Sequence, residues 1–501
     1  VETAKRTGVE IRGPFPLPRA KPYPYLPLID LLKNYCQLPA EDDERRRQEK
    51  LTGKLLTLDR ALEDSLPYLC HLLGVEPNSA LAQMNPQTRR QRTFDAIKRL
   101  LVRESLAQPL ELIVEDLQWL DSETEAFLGF FGESVASARI LLLVNYRPEY
   151  RHDWGSKSYY TQLRLDPLGE AEARELLREL LGAGGGLAPL EQQILQQTEG
   201  NPFFIEELVQ TLIEEGVLRG ESGHYRLEKI PIALHIPTTV QGVLAARIDR
   251  LEPAEKALLQ TLAVIGKAFT WSLVARVVDQ PGDQLKSLLA RLQAGEFIYE
   301  QPAFPEVEYS FKHALTQEVS YGPLLIERRR ALHERTGRAI EALYKDQLEA
   351  HCSELAHHFS RSGNQPKAVE YLLSAGRQAV QRSADAEAVA HLTTALALLQ
   401  TLPDTPERAR QELDLQLTLG PAWMATKGFA APQVEATYDR ALALCRQLGD
   451  TSQVFPALLG LRTFFIVRGK LRTARELSEQ LLAMARAGQV PASLGQAHRA
   501  L

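Results

Sequence analysis

The strongest constraint in this sequence is a pair of short apolar runs with an amphipathic stretch between them. Residues 110–121 open on Leu110, Leu112, Ile113 and Val114 and turn acidic at Glu115 and Asp116; residues 138–147 carry Ile140, Leu141, Leu142, Leu143 and Val144 and end on Arg147. Short apolar runs bounded by polar residues fit parallel strands buried on both faces, and the helical pattern between them supplies the crossover that parallel pairing requires. Ser122 and Glu125 make a capping-box signature at the start of that helix, so the first strand is expected to stop at the acidic pair. The unit is βαβ, with its acids at the carboxyl edge of the sheet, where open α/β sheets bind ligands.

Carboxylates at such an edge suit a Mg²⁺-nucleotide. A hard cation takes carboxylate oxygens, and a second carboxylate can orient an attacking water. Arg147, expected to end the next strand, carries the planar donor fork that a terminal phosphate accepts. Taken alone, these residues fit a solvated strand end and a surface arginine better, because four apolar residues followed by two acids are common. The order of motifs downstream reverses that balance.

At 501 residues the chain has room for three or four domains, and its 44% apolar content is ample for ordinary cores. With 58 basic against 64 acidic residues the formal charge is −6, which argues against nucleic acid or an anionic membrane as a partner of the whole molecule. Cys36, Cys70, Cys352 and Cys445 are scattered and form no CxxC pair, so neither a zinc site nor a disulfide framework is indicated and a cytoplasmic setting is expected. No apolar run approaches the ~18 residues of a membrane span, and the amino end shows no signal pattern. Residue 1 is valine, and residues 1–6 read as the last turns of a helix already under way, so a fragment of a longer chain is expected.

Residues 9–12 read as a short strand, followed by a proline-rich loop reaching Pro27 and a helix from Leu26 to Tyr35. Between residues 42 and 108 the pattern is charged amphipathic helix, with Phe94, Ile97, Leu100 and Leu101 on one face for the sheet. Gly53-Lys54 is followed by Leu55 and preceded by no glycine five residues earlier, so it is not a phosphate loop, and the glycine run at 182–186 is a flexible loop. Helical spacing returns over 170–181, 190–197 and 202–215, with Gly200-Asn201-Pro202 as the corner before the last. Thr238 and Thr239 precede a helix running to Leu251 with the stripe Val240, Val243, Leu244 and Ile248. Helical stretches at 253–265, 271–278 and 283–292, then strand-like runs at 297–299 and 309–313, make a winged-helix pattern. Its third helix carries only Lys286 and Arg291 beside Asp283, which favours a packing or lever role over DNA reading. Beyond residue 346 the chain is helical, and Ala388/Leu392/Ala395, Val434/Tyr438/Ala441 and Ala474/Ser478/Leu481 repeat one spacing at separations of 46 and 40 residues. This is a loose tetratricopeptide pattern, and such arrays present a concave surface to a protein partner.

Residues 113–121, 145–150, 199–204 and 311–315, in that order, make the chain resemble the signal-transduction ATPases with numerous domains, the STAND NTPases. More narrowly it is similar to the predicted ATPases fused to bacterial class III adenylate/guanylate cyclase domains. The resemblance covers nearly the whole chain. It implies that Glu115 is the Walker B acid holding Mg²⁺, that Asp116 helps to activate water, and that Arg147 senses the γ-phosphate. It places Pro202 on the adenine and His313 near the β-phosphate of ATP. The family's phosphate loop is missing, and the resemblance places it just upstream of Val1.

The expected architecture is α/β followed by all-α. It comprises a parallel P-loop NTPase sheet without its phosphate-loop strand over residues 1–167, a helical lid over 168–235, a winged helix over 236–345 and tetratricopeptide-like repeats over 346–501. The expected function is an ATP- and Mg²⁺-operated switch coupled to a sensor array, controlling a cyclase in the parent, with self-association implied by the resemblance. A non-hydrolysing binding scaffold and an ATP-dependent transcription regulator are the competing readings. Without the amides and lysine of a phosphate loop, residues 1–501 are expected to bind ATP weakly and hydrolyse it negligibly. Calorimetric titration with Mg²⁺-ATP checks this, and tight binding would contradict it.

Overall fold

A computed structural model describes residues 9–11, 24–39, 42–75, 81, 84–154, 157–182, 187–221, 223–228, 239–278, 280–301, 306–450 and 452–488. The expected helix end at 1–6, the prolines at 14–22, most of the glycine run, Thr238 and the turn at 302–305 lie outside these residues. The chain forms two compact units, Val1–Tyr159 with Ile340–Leu501, and Tyr160–Ala339.

In the first unit, β1 (Val9–Ile11), β2 (Leu110–Val114) and β3 (Ile140–Val144) form a parallel sheet with β2 in the centre, Leu112 lying opposite Val9 and Leu142. Helices α1 (Leu26–Cys36), α2 (Glu44–Leu58), α3 (Leu66–Leu73), α4 (Pro86–Ala107) and α5 (Ser122–Val135) accompany it. Leu112, Val114 and Leu142 share one sheet face with Leu28 of α1, Leu101 of α4 and Phe127 of α5. The stripe expected on α4 is buried, with Phe94 edge-on to Phe127 at 5.6 Å. Burial on both faces, expected from the continuous apolar runs, does not hold for β3. Its other face leaves Leu141 52% and Leu143 41% exposed, because the packed helices cover the opposite side.

Two local expectations are corrected. The cap of α5 is Asp121, whose Oδ1 accepts the Glu123 and Thr124 amides at 3.1 and 2.9 Å; Ser122 is the first helical residue. β3 stops at Val144, so Arg147 stands in the loop beyond it and does not end the strand.

The same unit holds helices α15 (Cys352–Ser362), α16 (Gln365–Gln381), α17 (Asp385–Leu399), α18 (Pro406–Lys427), α19 (Pro432–Leu448), α20 (Val454–Val467) and α21 (Leu471–Gly488), each packed on the next in chain order. The three repeated triplets fall on α17, α19 and α21, all buried. Leu392 and Tyr438, in the first two triplets, meet glycines on neighbouring helices. A Cβ at Gly376 would stand 2.6 Å from Leu392, and Cβ atoms at Gly420 and Gly460 would stand 2.3 and 2.2 Å from the Tyr438 ring. Small-against-large packing at this helical spacing is what makes a stack repeat. Among the described residues no helix is long and apolar enough to cross a membrane.

In the second unit, α6 (Glu170–Leu181), α7 (Ala188–Thr198) and α8 (Pro202–Glu214), with the two-stranded β4 (Leu218–Arg219) and β5 (Arg226–Leu227), enclose Leu177, Leu181, Ile194, Ile205 and Leu212. Then come α9 (Val240–Arg250), α10 (Pro253–Ile265), β6 (Ala268–Thr270), α11 (Trp271–Val277), α12 (Gly282–Ala294), β7 (Ile298–Gln301), β8 (Glu308–Phe311), α13 (Ala314–Tyr321) and α14 (Ile326–Leu343). The strands pair antiparallel in the order β6-β8-β7, and β6, with only three residues, gave no sequence signal. Thr239 caps α9 by accepting the Gly242 amide at 3.1 Å. Arg247, on the buried stripe of α9, is held by Glu207 and Glu214 of α8, by the Gly295 carbonyl at 2.8 Å and by the Phe297 ring face.

Glycine-to-alanine changes should separate open helix from interlocked helix. Gly53→Ala in α2, where a Cβ meets nothing within 4 Å, is expected to stabilise by about 1 kcal/mol. Gly420→Ala should destabilise by about 1–3 kcal/mol despite its better helix propensity, because Tyr438 must move. Urea unfolding followed by circular dichroism reads both signs.

Candidate functional site

Parallel pairing places the carboxyl ends of β2 and β3 side by side, and the two loops that leave them are tied together. The Asn145 amide donates to the Val114 carbonyl at 3.2 Å, and its own carbonyl accepts the Leu117 amide at 3.0 Å. Its side-chain Oδ1 accepts the Asp116 amide at 2.6 Å. Gln118 makes the second tie: its Nε2 donates to Asp116 Oδ1 at 2.9 Å, and its Oε1 accepts the Arg147 amide at 3.1 Å. Arg147 is exposed, its guanidinium 5.6 Å from the centre of the Trp119 ring.

Asp116 pays locally for this position, with φ 56 and ψ 51, the left-handed conformation that costs an L-residue roughly 1 kcal/mol. It initiates a 3-10 turn over Leu117–Trp119 that leads to the Asp121 cap of α5. Glu115 is half-buried and makes no side-chain hydrogen bond or ion pair with the described residues. The edge thus offers the Glu115 carboxylate and the second oxygen of Asp116, both hard donors, with an arginine on the adjoining loop. No group of three or more histidine, cysteine or acidic side chains gathers as a metal site among the described residues.

Pro202 and His313 lie in the second unit. Asn201 caps α8 by accepting the Phe204 amide at 3.1 Å, and Pro202 takes the first helical position, where its missing N–H is not needed. Gly200, at φ +77, receives the Leu168 amide at 2.8 Å, and a Cβ there would stand 2.1 Å from the Leu168 carbonyl oxygen. The His313 ring lies 4.1 Å from that of Phe203, the neighbour of Pro202. Its Nε2 is buried without a hydrogen-bond partner among the described residues. Burial, and then the Lys312 charge, hold its pKa below the usual histidine value. The geometry therefore makes two groupings, Glu115, Asp116 and Arg147 in one unit and Pro202 with His313 in the other.

Sequence reasoning passed over Asn145 and Gln118, although an asparagine directly after an apolar strand is a residue type that bonds to neighbouring backbone. It also passed over Arg247, whose place one turn after Val243 and Leu244 on an apolar stripe was a readable sign of a buried, paired cation.

A model of a domain of unknown function, DUF8739, matches residues 169–226, the stretch from α6 to β5. An uncharacterised protein of Rhizobium meliloti (strain 1021) is 27% identical over 414 residues, covering 80% of this chain and 39% of its own length. The chain thus spans about two fifths of that curated relative. Among solved structures, the STAND protein with a tetratricopeptide repeat sensor from Pyrococcus horikoshii aligns over 91% of this chain and 65% of its own, with 13% identity and a TM-score of 0.38.

Relief of the Asp116 backbone should be measurable. Asp116→Gly is expected to leave stability unchanged or raise it by up to about 1 kcal/mol, and Asp116→Val to lower it by more than that. Denaturant midpoints of the two variants against wild type decide it.

Proposed function

We propose that the chain is the ATP-operated regulatory core of a signalling protein of the STAND type. The observation that carries this reading is the tying of Asp116 to the Arg147 loop through Gln118 and Asn145 at one sheet edge. A carboxylate pair with an arginine on the adjoining loop suits a Mg²⁺-bound triphosphate. Mg²⁺, when bound, would neutralise phosphate charge and take its remaining ligands from phosphate and water. Glu115 would supply one oxygen to the metal as the Walker B acid, Asp116 would accept the proton of the attacking water, and Arg147 would reach the γ-phosphate.

Pro202 would pack on adenine, and His313 would donate to the β-phosphate through a ring nitrogen that has no protein partner among the described residues. In this reading α10–α12 with β6–β8 form a winged helix that carries His313. The helices from α15 onward form a tetratricopeptide-like sensor for a protein partner. The phosphate loop would stand on a strand pairing with the outer edge of β3, the end strand in the order β1-β2-β3 among the described residues. A cyclase as output, self-association and a cytoplasmic location belong to the same reading.

The test is ATP hydrolysis by the full-length parent. Asp116→Ala and Arg147→Ala should each reduce turnover on the order of 100-fold, the scale of losing one charge-stabilising group. Unchanged turnover in both variants would remove the assignment.

A further inference from the structure

In the first unit the helical repeats are held on the α/β portion by a seam of buried polar groups. Arg89 of α4 donates from Nε to Ser383 Oγ at 2.6 Å and from Nη2 to the Val380 carbonyl at 3.2 Å. His71 of α3 meets the Gln381 carbonyl at 2.8 Å. Ser383, in the bend between α16 and α17, is left-handed at φ 59. At the start of α5 the Ser122 amide and hydroxyl both donate to Oε1 of Glu387, in the first turn of α17.

The seam is electrostatically unbalanced. Asp121, Glu123, Asp385 and Glu387 are all buried, and the guanidiniums facing them are Arg89 and Arg90 of α4. Arg90 is taken by Glu123 at 2.5 Å, which also accepts the Tyr25 hydroxyl at 3.0 Å. Asp121 is satisfied by the Tyr25, Glu123 and Thr124 amides and the Thr124 hydroxyl. Arg89 directs its donors to Leu81, Val380 and Ser383. Asp385 Oδ1 and Glu387 Oε2 are left buried with no hydrogen-bond partner among the described residues. An ionised carboxylate in such a place costs far more than a neutral acid.

We propose that this seam is a proton-operated latch: with Asp385 and Glu387 protonated the repeats stay clamped to the α/β portion, and loss of those protons loosens the clamp. Burial, opposed by Arg89 and reinforced by the Glu123 charge, lifts Asp385 to about 7. Burial also raises Glu387, reinforced by Glu123 and Asp121 and opposed by the Ser122 hydrogen bond. A carboxyl whose pKa is higher in the closed seam than when free holds its proton more tightly there. Closure is therefore strongest below the ordinary carboxylate range, weakens as pH climbs through it to about 7, and changes little above. The latch is independent of the nucleotide reading and needs no ATP.

The test is backbone amide exchange of residues 1–501, corrected for intrinsic rate, at pH 5.5, 6.5 and 8. Protection in the first turns of α5 and α17 should fall about tenfold or more across that range in wild type. In Asp385→Asn/Glu387→Gln the fall should be much smaller, what remains coming from Asp121, whose pKa burial also raises, while Gly53→Ala should follow wild type. Flat wild-type protection overturns the proposal, as does an equal fall in the double variant. If the double variant does not fold, Glu387→Gln alone must shrink the fall, and an undiminished fall overturns it.

Discussion

The pairing of β2 with β3 is the interaction on which the rest of the first unit depends. A parallel ladder brings both strands to the same edge, so whatever follows Val114 must stand beside whatever follows Val144. That is how residues some thirty positions apart come into one polar cluster. Asn145 then couples register to chemistry. Its backbone continues the ladder for one more step while its side chain bonds the Asp116 amide, so a slip in pairing would release the acid from its left-handed turn. Local strain persists only where surrounding contacts over-determine it, and here Asn145 and Gln118 do so from two sides.

What could be read from the sequence was what depends on period. The α4 face, the repeated triplets and the Thr239 cap are all local patterns, and each is a buried or bonded feature of the structure. One face of β3 was misjudged for a physical reason: a continuous apolar run shows that a strand can be covered on two sides, not that it is. The α5 cap was misplaced because two candidates stood side by side. Asp121 wins since its carboxylate meets four donors, three of them amides, while the Ser122 hydroxyl is drawn to Glu387, 265 positions away, by a contact no local rule contains. The glycines at 376, 420 and 460 carried a signal that went unread. Their partners sit on other helices, and only the stack shows that a missing Cβ is what lets Leu392 and Tyr438 enter.

The two units show two ways of burying charge, and the contrast bears on what each can do. Arg247 meets two carboxylates, a carbonyl and an aromatic face, so each of its three guanidinium nitrogens has an acceptor and the three segments it joins are fixed in one arrangement. Removing one partner there would strand a buried ion, which makes the junction stiff. The seam beneath α17 is built from the same residue types in unmatched number. Its surplus carboxyls make closure conditional on something added from outside: a proton, or a change in the neighbouring first turn of α5. That turn begins six residues after Asp116, through the 3-10 turn and the Asp121 cap. A matched cluster gives a rigid joint and an unmatched one a joint whose strength depends on conditions, and this chain places the unmatched one where the start of α5 meets its repeats.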